Sequence, residues 1–385
     1  MMREFIIQKI KELKRTGLFR ELRQLGGNTI NFSSNDYLGL SKHPLVKARA
    51  LEAINGFGFG AGASRLISGN TKLHEQLERK IAEFKGRAAA LVFSTGYMAN
   101  LGVITSMVDE NDAVIIDRLN HASIIDACKL SKAKLQVYAH KDLAALKKIL
   151  EQSAKYKKRL VITDSVFSMD GDIATLPEII KLAKEYNAIT IIDEAHATGV
   201  LGARGKGIEE YFGIEGQIDI VMGTLSKALG SIGGFVAGSQ ELIDYLRNKA
   251  RSFIYTTALP PAACAAALAA LEVIEKEPGL IRNLRINSRF LREKISKINH
   301  ADPKNGTETL VSGSDETPII PIMIGDTEKT MKVSAQLLER GFFVSGIRPP
   351  TVPEGKSRLR ITLSALHTKK EIECLASLLQ ELIPA

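Results

Sequence analysis

Seven short apolar runs constrain this chain more than any other feature: AAALVF (88–93), AVIID (113–117), LQVYAH (135–140), LVITD (160–164), ITIID (189–193), DIVMGT (219–224) and GGFVAG (233–238). Longer stretches with helical patterning separate them. Runs of this length flanked by helices read as strands of a mostly parallel sheet covered on both faces, so the expected class is α/β with a large seven-stranded sheet. Ligands of such sheets bind beyond the carboxyl ends of the strands, which makes the residues after each run the informative ones. After AAALVF come Ser94, Thr95, Gly96 and Tyr97, and after AVIID come Asn120 and His121. Ser165 and Ser168 follow LVITD, Glu194 and His196 follow Asp193, and Ser226 and Lys227 follow Thr224. Five strands thus deliver an acid, two histidines, hydroxyls, a glycine turn and one lysine to one edge.

The flanks differ in texture. The N-terminal MMREFIIQKIKELKRTG mixes charges among its apolar residues, which predicts a short amphipathic helix rather than a signal peptide. ALPPAACAAALAAL (258–271) is interrupted by prolines and falls short of the ~18 residues of a spanning helix, so it is expected to pack against another helix, within the subunit or across a dimer. Beyond residue 275 we expect a charged helix from Glu272 to Lys297, a polar loop over 302–316, strands in TPIIPIMIG, GFFVSGI and SRLRITLSA, and a final helix. The expected division is an N-terminal segment (1–45), a large domain (46–275) and a smaller α+β C-terminal domain (276–385). Cys128, Cys264 and Cys374 form no CxxC pair, which argues for a reducing, cytoplasmic setting. The formal charge of +9 would suit nucleic acid, an acidic small molecule or simply a basic surface.

Each polar feature has a structural reading beside a chemical one. STGY opening a helix suits a phosphate through its free amides, yet serine and threonine there are ordinary caps. Asp193 at a strand end needs a partner, and a cap or ion pair would serve. Lys227 lies among small residues (TLSKALGSIGG), where an amine of lowered pKa can form a Schiff base. Two motif alarms do not survive inspection. DEAH (193–196) matches a helicase box, but no phosphate loop precedes it, and Pro350 stands where the first glycine of the only candidate, ending in GKS at 355–357, would have to be. GFGFGAGASRLISG (56–69) carries Ala63 where a dinucleotide fingerprint needs its last glycine. The histidines show no metal-ligand spacing, and no basic stripe with interleaved aromatics points to nucleic acid. A strand-end aspartate, a lysine on a later strand-end loop, a phosphate-binding helix start and a histidine together suit pyridoxal 5′-phosphate.

At these residues the chain resembles the α-oxoamine synthases, pyridoxal-phosphate enzymes of the aminotransferase-like fold type I. The matching strings run almost end to end: FSSNDYLGLS (32–41), SRLISGN (64–70), STGYMAN (94–100), DRLNHASIIDA (117–127), VFSMDGD (166–172), DEAHATGVLG (193–202), GTLSKALG (223–230), IYTTALPP (254–261) and IRPPTVPEGKSRLRIT (347–362). The resemblance implies that Lys227 binds the cofactor aldehyde and shuttles the substrate's Cα proton, that Asp193 pairs with the pyridinium nitrogen, and that His121 stacks on the ring. His196 and Ser168 would lie near the phenolic oxygen. Gly96, Tyr97, Thr224 and Ser226 would hold the phosphate, with Thr256 and Thr257 reaching across a homodimer. Asn35 and Arg360 would bind the amino-acid carboxylate, and Thr351 and Arg20 the acyl substrate. Within the family, IRPPTVP and the apolar Leu66 favour a member that condenses L-alanine with a pimeloyl thioester of coenzyme A or acyl-carrier protein. Glycine C-acetyltransferase, 5-aminolevulinate synthase and serine palmitoyltransferase are the alternatives. Asp193, His196 and Lys227 together argue against a non-catalytic scaffold.

Overall fold

The computed structural model describes residues 1–16, 18–298, 300–302 and 307–383. All seven apolar runs form strands: β1 (Ala89–Phe93), β2 (Ala113–Asp117), β3 (Lys134–Tyr138), β4 (Arg159–Asp164), β5 (Ile189–Asp193), β6 (Ile220–Thr224) and β7 (Gly234–Gly238). They make one sheet in the order β1-β7-β6-β5-β4-β2-β3. The pairs β6–β5, β5–β4, β4–β2 and β2–β3 are parallel, and β7 runs antiparallel to both β1 and β6. Six strands therefore point the same way, and their carboxyl ends share one edge.

Both faces of the sheet are buried, which is why the strands read as continuous apolar runs rather than alternating ones. The period of two is still visible in the packing. Leu160 and Ile162 of β4 and Ile191 of β5 face a core shared with helices Gly96–Met107, Ala122–Ser131 and Gln240–Lys249. Val161 and Ile192 face the opposite side. By the same alternation the strand-end acids Asp164 and Asp193 stand on the face of the first two helices.

The alanine-rich stretch becomes helix Pro261–Lys276 and packs inside the subunit on helices Pro44–Phe57 and Lys72–Lys85. Pro278 then breaks the single helix expected from Glu272 to Lys297, and a second helix runs from Gly279 to Ile295. A second, antiparallel sheet follows in the order Ser345–Ile347, Ser357–Thr362, Ile319–Gly325, Thr307–Val311, His300–Asp302. Its last two strands occupy part of the segment expected to be loop; of that segment, 303–306 lie outside the described residues. The N-terminal helix Met2–Arg15 forms as expected and buries none of its residues. Downstream, Ile30–Asn31 pairs with Phe342–Phe343, so the chain's beginning is tied to its C-terminal part. No described helix is long and apolar enough to cross a membrane.

One buried ion pair braces the turn after β5. Lys85 Nζ donates to Glu194 Oε2 at 2.5 Å and to the Lys206 carbonyl at 2.6 Å, with both charged side chains 2% exposed or less. Gly207, at φ +110°, admits this pair, because a Cβ there would collide with the Glu194 carboxylate. Glu194 thus points away from the carboxyl-end cleft while its neighbour Asp193 serves it. Lys85→Met leaves the Glu194 charge buried without a partner and should cost about 3–5 kcal/mol in urea unfolding. The double variant with Glu194→Gln should recover part of that loss.

Candidate active site

The site grows from the ends of the strands. Thr95 caps helix Gly96–Met107 by accepting from Met98 N at 3.1 Å, which leaves the amides of Gly96 and Tyr97 without partners inside the helix. Opposite them, at the end of β6, Thr224 Oγ1 and Ser226 Oγ lie 2.7 Å apart, with Thr224 donating to the Gly233 carbonyl. A Cβ on Gly96 would stand 3.4 Å from Thr224 Oγ1, and one on Gly234 would strike the Gly96 backbone. The two glycines bring helix start and strand end together as a small cradle of amides and hydroxyls. The Tyr97 hydroxyl points elsewhere, donating to Asp126 at 2.5 Å. Thr256 and Thr257 sit beside the end of β1, where Ser94 Oγ donates to the Thr257 carbonyl at 2.8 Å.

Asp193, at the end of β5, is 4% exposed. Its Oδ1 accepts from Ala195 N and its Oδ2 from Asn100 Nδ2, both at 2.8 Å. Asp164 is its direct partner across the β4–β5 ladder and accepts from His121 N at 2.8 Å. Burial, and then the neighbouring Asp193 charge, hold Asp164 well above the usual carboxylate range. The two adjacent acids differ in their donors, two reaching the Asp193 carboxylate and one that of Asp164. The His121 ring is open to the cleft, with Nδ1 against Ser123 Oγ at 2.8 Å. Desolvation lowers its pKa, Asp193 opposes that, and Lys227 adds to it, so the neutral imidazole is favoured.

Lys227 stands half-buried on the loop after β6, and no described residue hydrogen-bonds or ion-pairs with its Nζ. Burial pushes its pKa down to about 8 against the pull of Asp193 and Asp164. His196 is 6% exposed; its Nδ1 lies 2.6 Å from the Tyr37 hydroxyl, and burial, Lys227 and Arg360 hold it neutral. Arg360 comes from the middle of the second sheet. Its Nη1 and Nη2 each reach Asn35 Oδ1 at 3.2 Å, and its Nε donates to the Ser168 carbonyl at 2.5 Å. Further out, Arg20 Nη2 donates to Thr351 Oγ1 at 3.0 Å. The pair edges an open cavity of about 670 Å³ lined by Phe19, Leu22, Met331, Phe343, Ile347 and Arg348.

The donor set matches pyridoxal 5′-phosphate: an unpaired amine of lowered pKa, a buried carboxylate held by two donors, an imidazole facing the cleft, and an anion cradle. Three residues in contact with this set carried no assignment from sequence. Asp164 had a signal, since β2, β4 and β5 all end in aspartate. Asn100 had one too, as an amide on the apolar face of its helix among Ala99, Val103 and Ile104. Tyr37, inside FSSNDYLGLS, had none that periodicity would expose.

A family model for aminotransferase class I and II matches residues 27–379. The chain belongs to this family. Within the aminotransferase class I and II family it is 47% identical over 96% of its length to an 8-amino-7-oxononanoate synthase of Thermoanaerobacter pseudethanolicus, covering 94% of that protein. A Symbiobacterium thermophilum protein of the same name is 45% identical over 96% of this chain and 95% of its own. Among solved structures, serine palmitoyltransferase from S. paucimobilis with a bound PLP–myriocin aldimine superposes with a TM-score of 0.89 at 32% identity, covering 98% of this chain and 96% of that one. The 8-amino-7-oxononanoate synthase of Francisella tularensis gives 0.77 at 31% identity over 92% and 97%.

The loop that carries Ser168 is clamped from both sides. Arg358 Nη1 reaches Asp170 Oδ1 at 2.6 Å, while Asp172 meets Lys141 and, at 2.9 Å, His140 Nε2. His140 Nδ1 is 3.0 Å from Asp117 Oδ1. Burial alone would lower the His140 pKa, but its hydrogen bonds to the two carboxylates outweigh burial and lift it to about 9. A folded-state value above the ordinary one means stability that is complete below pH ~6.5 and is lost as pH rises through about 9. We expect wild type minus His140→Gln to differ by on the order of 2 kcal/mol at pH 6, and the gap to close by about pH 10, in denaturant titrations.

Proposed function

We propose that this chain joins L-alanine to a pimeloyl thioester, releasing carbon dioxide and the thiol, to form 8-amino-7-oxononanoate. The observation that carries the reading is the unpaired amine of Lys227, with its pKa pushed down to about 8, one strand away from the buried carboxylate of Asp193. It stands in a chain similar over 96% of its length to synthases of that product. Pyridoxal 5′-phosphate, when bound, supplies an aldehyde that captures amines and a ring that takes up the electron pair left at an α-carbon.

Lys227 Nζ would hold the cofactor covalently, and its amine would take the proton from the α-carbon of alanine and later return one. Asp193 would keep the ring nitrogen protonated, and His121 would cover the ring face. His196, with Tyr37 on its Nδ1, and Ser168 would attend the phenolic oxygen. Gly96, Tyr97, Thr224 and Ser226 would hold the phosphate. Asn35 and Arg360 receive the alanine carboxylate, which leaves as carbon dioxide after the new bond to the acyl carbon has formed and the thiol has departed. Arg20 and Thr351 bind the acyl chain, whose methylenes suit the apolar wall beside them. A homodimer in which Thr256 and Thr257 serve the neighbouring site is supported by the exposed Phe59, Ile67, Ile232 and Tyr255. The Phe59 to Ile67 segment is joined to the threonines through Ala258 N and the Ala63 carbonyl, 2.9 Å apart. The thioester comes from coenzyme A or acyl-carrier protein, both anionic, and the charge of +9 assists encounter with either. The free cysteines fit a reducing cytoplasm.

Purified protein should be yellow with bound cofactor, and Lys227→Ala should abolish both the reducible linkage and thiol release. In a thiol-release assay, L-alanine with a pimeloyl thioester should exceed glycine with acetyl-coenzyme A by at least about tenfold. The opposite preference moves the reading to glycine C-acetyltransferase. Arg20→Ala should raise KM for the pimeloyl thioester about tenfold and leave alanine-dependent spectral changes in place.

A further inference from the structure

Asn100 is fully buried on helix Gly96–Met107, on the face of the sheet where Asp164 and Asp193 stand. Its Nδ2 makes two contacts: one N–H goes to Asp193 Oδ2 at 2.8 Å and the other to Ser123 Oγ at 2.9 Å. Ser123 Oγ in turn meets His121 Nδ1 at 2.8 Å, and Ser123 N lies 3.3 Å from the same atom. The polarity of this chain is fixed at its start. Turning the amide over would put its oxygen against the Asp193 carboxylate, so the nitrogen must face it. Ser123 then accepts from Asn100, is free to donate its own proton to His121 Nδ1, and leaves the His121 proton on Nε2. The amide oxygen of Asn100 has no partner in its buried position. A buried orphan acceptor is unfavourable, and an apolar residue of similar size would avoid it. What that residue would lack is the pair of N–H groups.

We propose that Asn100 is a positioning residue that ties the carboxylate of Asp193 to the imidazole of His121 through Ser123, so that one buried amide sets the groups meeting the cofactor ring at its nitrogen edge and at its face. The inference rests on the roles given to Asp193 and His121 above. Asn100 also distinguishes the two acids of the adjacent pair by hydrogen bonding. Asp193 receives two donors, from Ala195 N and Asn100, whereas Asp164 has one from His121 N. The other charged or titratable groups acting here are Lys227, on the loop after β6, Asp126, on the helix after His121, Asp117, at the end of β2, and Arg360 of the second sheet. Removing the Asn100 donor therefore loosens the hold on the Asp193 carboxylate that would meet the ring nitrogen.

The test uses Asn100→Ala, the near-isosteric Asn100→Asp, Ser123→Ala, and the double variant Asn100→Ala with Ser123→Ala. Each is stripped of cofactor, checked by thermal unfolding, and titrated with pyridoxal 5′-phosphate while the pH dependence of the visible band is followed. The expected result is affinity weakened about tenfold or more in both Asn100 variants and a displaced pH midpoint of the band. Ser123→Ala should have a smaller effect, and the double variant should be no worse than Asn100→Ala alone, because both lie in one relay. Folded variants with wild-type affinity and midpoint overturn the proposal, as do fully additive effects of the two substitutions. If Asn100→Ala does not fold, Asn100→Asp and Ser123→Ala decide alone, with unchanged affinity and midpoint overturning the relay. A wild-type protein that takes up no cofactor would instead sink the functional reading itself.

Discussion

Everything at this site depends on holding a carboxylate in place at the buried end of β5. Taking Asp193 out of water is unfavourable unless donors replace the lost hydration. The fold supplies two, one from the turn that follows and one from a helix on the adjoining face. It does not neutralise the charge with a contact ion pair, which is what leaves Lys227 unpaired and its pKa low. A direct Lys227–Asp193 bridge would have raised the amine's pKa and spent the carboxylate. The separation of the two keeps both available.

The same economy governs the second sheet. Arg360 sits in the interior strand Ser357–Thr362, and its fork reaches two segments far away in sequence, the turn at Asn35 and the loop at Ser168. A guanidinium can do this because its donors are planar and diverge. One residue therefore joins the N-terminal segment, the Ser168 loop of the large domain and the C-terminal sheet. The clamps on Asp170 and Asp172 hold the Ser168 loop from its other side.

Much of this was legible in the chain. The seven strands were readable because a sheet buried on both faces needs unbroken apolar runs, and the residues after them include Lys227, Asp193, His121 and His196, which the fold gathers at one edge. The C-terminal part was less legible. Pro278 splits a helix that charge patterning made continuous, and strands His300–Asp302 and Thr307–Val311 lie in a stretch whose polarity reads as loop. Strand pairing across a small antiparallel sheet depends on partners distant in sequence, so a short polar stretch carries a weak local signal.

Local sequence determined the sheet's strands, the cap at Thr95 and the edge at which the chemistry gathers, because periodicity and turn chemistry act over a few residues. Tertiary structure alone decided the charge states and the partners. Asp164 and Asp193 are alike as strand-end aspartates; they differ because Asn100 and Ala195 donate to one, while burial and its neighbour's charge raise the pKa of the other well above the usual carboxylate range. Tyr37 meets His196 across 159 residues of chain, and Arg360 meets Asn35 across 325. Distances of a few ångströms between residues so far apart in sequence exist only once the whole fold is closed, and the pKa of each group follows from them.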